Sequence, residues 1–408
     1  MTSPITTAEV GFEEHCRSSV DRLRAALIEL YDEAGADSSS PQDVAREFGL
    51  NKNLTWKISK IINAEDLIEA APHVPGTSGV QILLKGFEKA GVGGVSLGRV
   101  REAANSFEEM IEVQVGDRAT LELVLDGMAV GASDRLETSR RLSFRGNSGV
   151  WGVQAKVRLA SNLLIPNADD PEKLDIATVR GYVGFRRLRP AVRWPLFRIR
   201  EWGDSSEPML NRPRWEALEL EGENASRLMP TFTSARLPDI KPMRTSEGVD
   251  YVLVPGPIGN FGAVDCFQGE MMRRAVSGYA EDGDPIAEFG VAVTVPAEYL
   301  VMDLIVHESL EYAFDPRVLV FGREFSQGQR TADEEHDSVL PIRDRATKLS
   351  GRPPVVTTPL VPQYAGIFQT ACARLGVDAR ELRGYRLLMK YPPMGATVVQ
   401  RFELPERG

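Results

Sequence analysis

The apolar residues of this chain change their spacing near residue 130, and that change limits the folds open to it. Before it they recur at helical intervals. Between Phe12 and Ala34, residues Val20, Leu23, Leu27 and Leu30 fall on one helical face. Gly35 and the run Asp37–Ser38–Ser39–Ser40 end that helix, and Pro41 opens the next behind Ser40 as a cap. Asn63 is expected to cap a short helix through Ala70, Ser96 a stretch through Val115, and Asp117 one through Leu125, with Val80 to Ala90 also helical. The helical texture ends near Met128. Gly127, Gly131, Ala132 and Ser133 then form a small-residue break.

From about Ser139 the pattern reads differently. Gly146, Gly149 and Gly152 surround Trp151, and Val153, Ala155, Val157 and Leu159 alternate with polar residues as in a half-buried strand. Ala177 to Phe185, Tyr251 to Val254 and Ala287 to Val295 also read as extended, and Glu298 to His307 suits either a buried strand or a helix. Prolines 190, 195, 208 and 213 and tryptophans 194, 202 and 215 punctuate the middle of the chain. Pro362 to Leu375 reads as helix. Tyr385 to Lys390 and Thr397 to Phe402 suggest a closing strand pair around Pro392–Pro393–Met394–Gly395. The expected fold is an all-α N-terminal helical bundle followed by an α+β region with a mostly antiparallel sheet. The expected domains are 1–133 and 134–408, the second divisible into 134–245 and 246–408.

One stretch of the helical part points to a partner. In Gln42 to Ile62, QDVAREFGLNKNLTWKISKII, Ala45 precedes Gly49 by four residues, and Leu50, Leu54, Ile58 and Ile61 make an apolar stripe. A small residue permits close helix packing and a glycine permits the tight turn. The opposite face of the second helix carries Asn51, Lys52, Asn53, Thr55, Trp56, Lys57, Ser59 and Lys60, without an acid. This resembles the helix-turn-helix of bacterial DNA-binding regulators over residues 41–62, although Thr55 stands where that family usually has a small aliphatic residue. The resemblance implies a helix-turn-helix-like bundle whose second helix enters the major groove, with lysines on phosphates and asparagine or threonine at base edges. The plainer alternative is a helical hairpin in a core with three lysines on a solvated face. No strand pair follows at the spacing a wing requires. His73–Val74–Pro75–Gly76–Thr77–Ser78–Gly79 resembles the hairpin of helix-hairpin-helix modules, but an ordinary loop before a helix explains it as well.

Charge is unevenly distributed. The 408 residues carry −10 overall, with −10 in residues 1–138, +9 in 139–200 and −9 in 201–408. Arg140, Arg141, Arg145, Arg158, Arg180 and Arg186 are among the cations of the central segment. A polyanion, or the acidic flanks of this chain or of neighbouring subunits, could neutralise it. Cys16, Cys266 and Cys372 are odd in number and far apart, which argues against a disulfide framework or a structural zinc site. The N-terminus has no basic and apolar leader pattern, and no apolar run reaches membrane-spanning length. A cytoplasmic location without membrane association is expected.

The residues offer little catalytic pattern. Phosphate-loop, dinucleotide-fingerprint and nucleophile-elbow motifs are all missing. Gly256–Pro257–Ile258–Gly259–Asn260–Phe261–Gly262 has the wrong glycine spacing for a nucleotide loop and reads as a tight turn. His307–Glu308–Ser309–Leu310–Glu311 is half of a metal-binding pattern, with Glu311 in place of the second histidine. His336–Asp337–Ser338 has triad residue types at a spacing that cannot converge, and Asp333 to Asp337 reads as an acidic loop. Cys16 beside His15 is a weak candidate for a reactive thiol. The sequence therefore suggests a non-enzymatic, cofactor-free DNA-binding regulator, homo-oligomeric through a sensing C-terminal region. Its rival is an assembly protein that forms homo-oligomers through the arginine-rich segment and acidic flanks.

Overall fold

The computed structural model describes residues 11–128, 132–200, 215–219, 227–234, 239–245, 248–281, 284–322 and 338–407. Trp202, Pro208, Pro213, Gly131 and the stretch Asp333 to Asp337 lie outside the described residues. The chain packs as two compact units, Met1–Arg135 and Leu136–Gly408.

The first unit is built from helices α1 (Phe12–Ala34), α2 (Pro41–Glu47), α3 (Lys52–Ile62), α4 (Leu67–Ala70), α5 (Thr77–Lys89), α6 (Gly94–Gln114) and α7 (Arg118–Met128). Val20, Leu23, Leu27 and Leu30 of α1 are all buried, so the helical stripe seen in the sequence is the packed face. It meets Leu97, Val100, Phe107 and Met110 of α6 in one apolar core. Capping differs from the sequence expectation at three places, the first being Ser40, which precedes α2 without a side-chain cap bond. Asn63 closes α3, and Asp66 caps α4 by accepting the Ile68 N–H at 2.9 Å. Gly93, not Ser96, is the N-cap of α6; Glu33 accepts both the Gly93 N–H at 2.8 Å and the Ser96 hydroxyl. That carboxylate neutralises donors at the start of α6 from another helix, a substitute that local sequence cannot reveal.

Helix α8 (Ala132–Trp151) continues where strand texture was expected, and Ala132 and Ser133 of the supposed break begin it. Its inner stripe explains the misreading. Arg140 and Ser148 are buried and Phe144 is half-buried, a helical interval of four, while Leu142 and Val150 face solvent. A packed face with Arg140 and Ser148 on either side of Phe144 leaves no hydrophobic period to detect.

The second unit corrects the expected α+β region with a mostly antiparallel sheet: it is mostly β, around a seven-stranded mixed sheet. Its strands are β1 (Val153–Pro166), β2 (Lys173–Arg187), β3 (Trp194–Arg200), β4 (Glu216–Ala217), β5 (Ile240–Thr245), β6 (Gly248–Leu253), β7 (Val264–Ser277), β8 (Ile286–Ala292), β9 (Ala297–His307), β10 (Arg317–Phe321), β11 (Thr347–Lys348), β12 (Leu382–Lys390) and β13 (Thr397–Glu403). The large sheet runs β11-β12-β9-β1-β2-β7-β4, with β1 and β9 parallel at its centre. Three-stranded sheets β10-β13-β8 and β3-β6-β5 accompany it. Helix α9 (Tyr364–Leu375) also belongs to this unit. Tyr364, Ile367, Phe368 and Ala371 of α9 cover one face of the large sheet, against Val157, Val179, Val301 and Ile305. The opposite face meets the smaller sheets, through Leu300 and Met302 against Val291 and Val398, and through Tyr182 against Leu196 and Phe197.

Both faces of β9 are therefore buried, which is why its sequence is continuously apolar and left strand and helix undecided. The expected closing hairpin does not form. Strand β12 pairs with β9 and β11, whereas β13 pairs with β10 and β8 in another sheet. Among the described residues no helix is long and apolar enough to cross a membrane.

Candidate nucleic-acid interface

The segment from α2 to α3 is two short helices joined by a tight turn at Gly49. Phe48 closes α2, Gly49 takes a left-handed conformation at φ +64°, and the Leu50 N–H donates to the Ala45 carbonyl at 2.8 Å. A left-handed residue reverses the chain there at little steric cost only if it is glycine. Ala45, Leu50, Leu54, Ile58 and Ile61 are buried, so the stripe seats α3. Helix α5 backs the turn closely: a Cβ on Gly86 would lie 2.7 Å from Leu50 Cδ2 and 3.0 Å from the Phe48 carbonyl oxygen. The turn is held from below as well as by its own bonds.

The eight residues singled out on the second helix divide in two. Lys52, Asn53, Trp56, Lys57 and Lys60 are exposed, and the interval from Asn53 through Trp56 and Lys57 to Lys60 places them on one face. Among the described residues no acid forms an ion pair with Lys52, Lys57 or Lys60. Trp56 is 47% exposed, stands edge-on to His73 with ring centroids 5.3 Å apart, and has Lys60 Nζ 5.6 Å from its ring centroid. The loop with the helix-hairpin-helix likeness thus supports the α3 face through His73, and it enters α5 with Gly76 as N-cap.

The other three have structural roles. Thr55 is fully buried and its hydroxyl donates to the Lys52 carbonyl at 3.1 Å, which corrects its placement on the outer face. Ser59 donates to the Ser38 carbonyl at 2.7 Å, tying α3 to the loop before α2. Asn51 is exposed but is the N-cap of α3, its side chain accepting the Asn53 N–H at 2.8 Å. Asn51→Ala is expected to lower the stability of the first unit by about 1 kcal/mol, and Asn51→Ser to restore it. Urea denaturation followed by circular dichroism measures both. Equal stability of all three proteins would show that the cap contributes nothing.

Lys52 occupies the first position of α3, and no acid lies in that first turn. The positive end of the helix dipole disfavours a cation there.

Part of the arginine-rich segment is occupied within its own unit. Arg140 pairs with Asp344 at 3.2 Å, and Arg198 approaches Asp250 at 3.9 Å. Arg187 is buried and donates to the Val254 carbonyl, while Arg189 donates to that of Val150 at 2.6 Å. Arg141, Arg145 and Arg193 of the same segment are exposed.

The chemical candidates separate in space. His307 ends β9 and is followed by a turn, so the helical half-site is not formed; Nδ1 of His307 lies 2.8 Å from Ser309 Oγ. Glu308 is taken by Arg383, and Glu311 opens a single 3-10 turn. Among the described residues no three His, Cys, Asp or Glu side chains are grouped for a metal ion. His336 and Asp337 lie outside the described residues. The glycine-rich Gly256–Gly262 stretch includes the 3-10 turn Gly259–Gly262, where a Cβ on Gly262 would lie 2.2 Å from the Pro257 carbonyl oxygen. Burial pushes the Cys16 thiol up to about 11 and the Cys372 thiol up to about 12, and Cys266 also moves upward, first by burial. None is poised as a thiolate at neutral pH.

No family model and no curated protein matches this chain. Among solved structures it is similar to a candidate protease from Parabacteroides distasonis, at 8% identity and a TM-score of 0.25. The match covers 62% of this chain and spans 40% of that one. A likeness at that score carries no argument about fold or chemistry.

Proposed function

We propose that this protein binds DNA through α3 of a helix-turn-helix, in the cytoplasm and as a homo-oligomer, and acts as a transcriptional regulator. The observation that supports this best is the acid-free outer face of α3, where Lys52, Lys57 and Lys60 have no acidic partner beside exposed Asn53 and Trp56. Three ammonium groups on one short helix concentrate positive charge on a unit that is acidic overall. Contacts to phosphate need only that local field, because charges beyond about 10 Å are screened at ordinary salt. Asn53 is the side chain best suited to a base edge, since its amide can both donate and accept. Two copies would place two such helices on neighbouring half-sites.

The test is retention of labelled duplex DNA by the full chain across a salt series. Replacing Lys52, Lys57 and Lys60 together by alanine should weaken binding and reduce the salt slope by about 2.7, at about 0.9 per phosphate contact. The circular dichroism spectrum should be unchanged, because the three lysines lie off the packed stripe. A wild-type protein that retains no DNA at low salt, or a triple variant with an unaltered slope, would overturn the proposal.

A further inference from the structure

A cleft of about 710 Å³ opens inside the second unit, between the large sheet and the two smaller ones. Its floor is one face of β1, β2 and β7. Register puts Arg158 opposite Tyr182, Ala160 opposite Arg180 and Asn162 opposite Thr178, and then Arg180 opposite Gln268 and Thr178 opposite Glu270. Strand alternation turns all of these side chains the same way, so Arg158 and Arg180 are diagonal neighbours, roughly 7–8 Å apart at their bases. The walls come from β3, with Leu196 and Phe197, from β8, with Phe289 and Val291, and from Trp215 and Met272. The volume lies in the range of small-molecule sites, roughly 300–1,000 Å³.

The charges in this cleft do not cancel. Glu270 is taken by Arg227, Glu288 by Arg401, and Arg198 has Asp250 at 3.9 Å. Arg158 and Arg180 have no ion pair among the described residues. Arg158 lies over the Tyr182 ring, 4.5 Å from its centroid, and donates to the Gly181 carbonyl at 3.3 Å. Its Nε is buried without a partner. Arg180 is anchored by the carbonyls of Ser161 and Val179, both at 3.2 Å, and by Asn162 Oδ1 at 3.0 Å. Asn162 is 0% exposed, and with its oxygen used in this way its Nδ2 donates to nothing. Two guanidinium groups and an unpartnered amide donor thus converge in an apolar-walled cleft. Burial, then repulsion from Arg158, lowers the Arg180 pKa to about 10 against the attraction of Glu270, so Arg180 remains cationic at neutral pH.

We propose that this cleft binds a small organic anion, its carboxylate or phosphate held by Arg158, Arg180 and Asn162 and its aromatic or hydrocarbon body packed on Phe197, Trp215, Met272 and Phe289. Like charges held close in a partly desolvated site repel each other, and an anion between them removes that cost while satisfying the open donors. Guanidinium groups suit either headgroup because their paired N–H bonds match two oxygens at once. The apolar walls add affinity for a body that a free inorganic anion lacks.

Calorimetric titration of the full chain with 2-naphthoate, 1-naphthyl phosphate and uncharged 2-naphthamide tests this without DNA. At least one anion should bind about tenfold or more tightly than the amide, and which one binds better identifies the headgroup. Arg158→Gln should weaken the anion about tenfold or more and leave the amide unchanged, and Asn162→Asp should weaken it further by placing an acid in the cleft. The thermal transition of each variant shows that it is folded. If Asn162→Asp does not fold, Arg158→Gln alone decides, since its side chain is only half-buried. Equal binding of all three probes, anion binding unaltered in Arg158→Gln, or no binding of either anion at millimolar concentration would overturn the proposal.

Discussion

Asp303→Ala is expected to cost the second unit about 3–5 kcal/mol, because it leaves a buried guanidinium without its counter-charge. Asp303 lies on β9 and is fully buried, directly opposite Arg386 on β12. The guanidinium makes a two-point contact, Nε to Oδ1 at 2.9 Å and Nη2 to Oδ2 at 2.7 Å. The Tyr364 hydroxyl of α9 donates to Oδ2 at 2.7 Å, and Arg386 Nη2 also reaches the Val356 carbonyl at 2.7 Å. One carboxylate therefore ties two strands of the large sheet, the helix that covers it and the loop before that helix. Removing it leaves Arg386 in a site that water reaches poorly and Tyr364 with an unfilled hydroxyl. Desolvation makes such an orphaned charge costly, whereas removing the whole polar cluster need not be. The combination Asp303→Leu, Arg386→Met and Tyr364→Phe should therefore recover most of the loss. Denaturant titration of the three proteins compares them. A single variant within about 1 kcal/mol of wild type would show that the cluster is not a fully desolvated network.

Phe87→Ala should cost the first unit about 3–5 kcal/mol and, with it, the DNA retention proposed for α3. The Phe87 ring is fully buried on α5, stacked on Phe48 with centroids 4.3 Å apart and tilted against Tyr31 at 5.3 Å. Phe48 is the last residue before the Gly49 turn, so the ring supports the turn that aims α3. Truncation would leave a cavity beneath that turn, lined by aromatic faces that cannot collapse into it. Phe87→Leu keeps much of the volume and should lose less. Melting curves give the stability, and retention assayed well below the melting temperature separates a misplaced α3 from an unfolded one. Unchanged stability in Phe87→Ala would mean that the aromatic stack does not support the unit.

The turn between α2 and α3 and the packed stripe of α3 were legible in the sequence because their geometry is local. Ala45, Gly49 and the stripe from Leu50 to Ile61 act within twenty residues of each other, and helical spacing alone shows which faces are packed. What spacing could not show was the use of individual polar atoms. Asn51 and Ser59 look like groove-facing residues until their acceptors and donors are located, and Thr55 is polar yet buried, so its residue type misstates its face. Helix α8 was missed for a similar reason, with Arg140 and Ser148 at positions where a hydrophobic stripe was sought.

For the second unit, local spacing marked extended segments but not their partners. The parallel pairing of β1 with β9 joins residues more than a hundred positions apart, and no nearby signal records it. Strands β12 and β13 are neighbours in sequence and belong to different sheets because each finds its hydrogen bonds and apolar cover elsewhere. The anion cleft is the extreme case. Arg158, Arg180, Gln268, Phe197 and Phe289 come from five strands, and only strand register turns them to one space. The sequence alone determined the helical first unit, the turn at Gly49 and the charge of the central segment, since these depend on backbone conformation and residue type within a few turns of chain. Tertiary structure decided which arginines are neutralised and which remain open, because whether a charge is paired or desolvated depends on groups that only folding brings beside it.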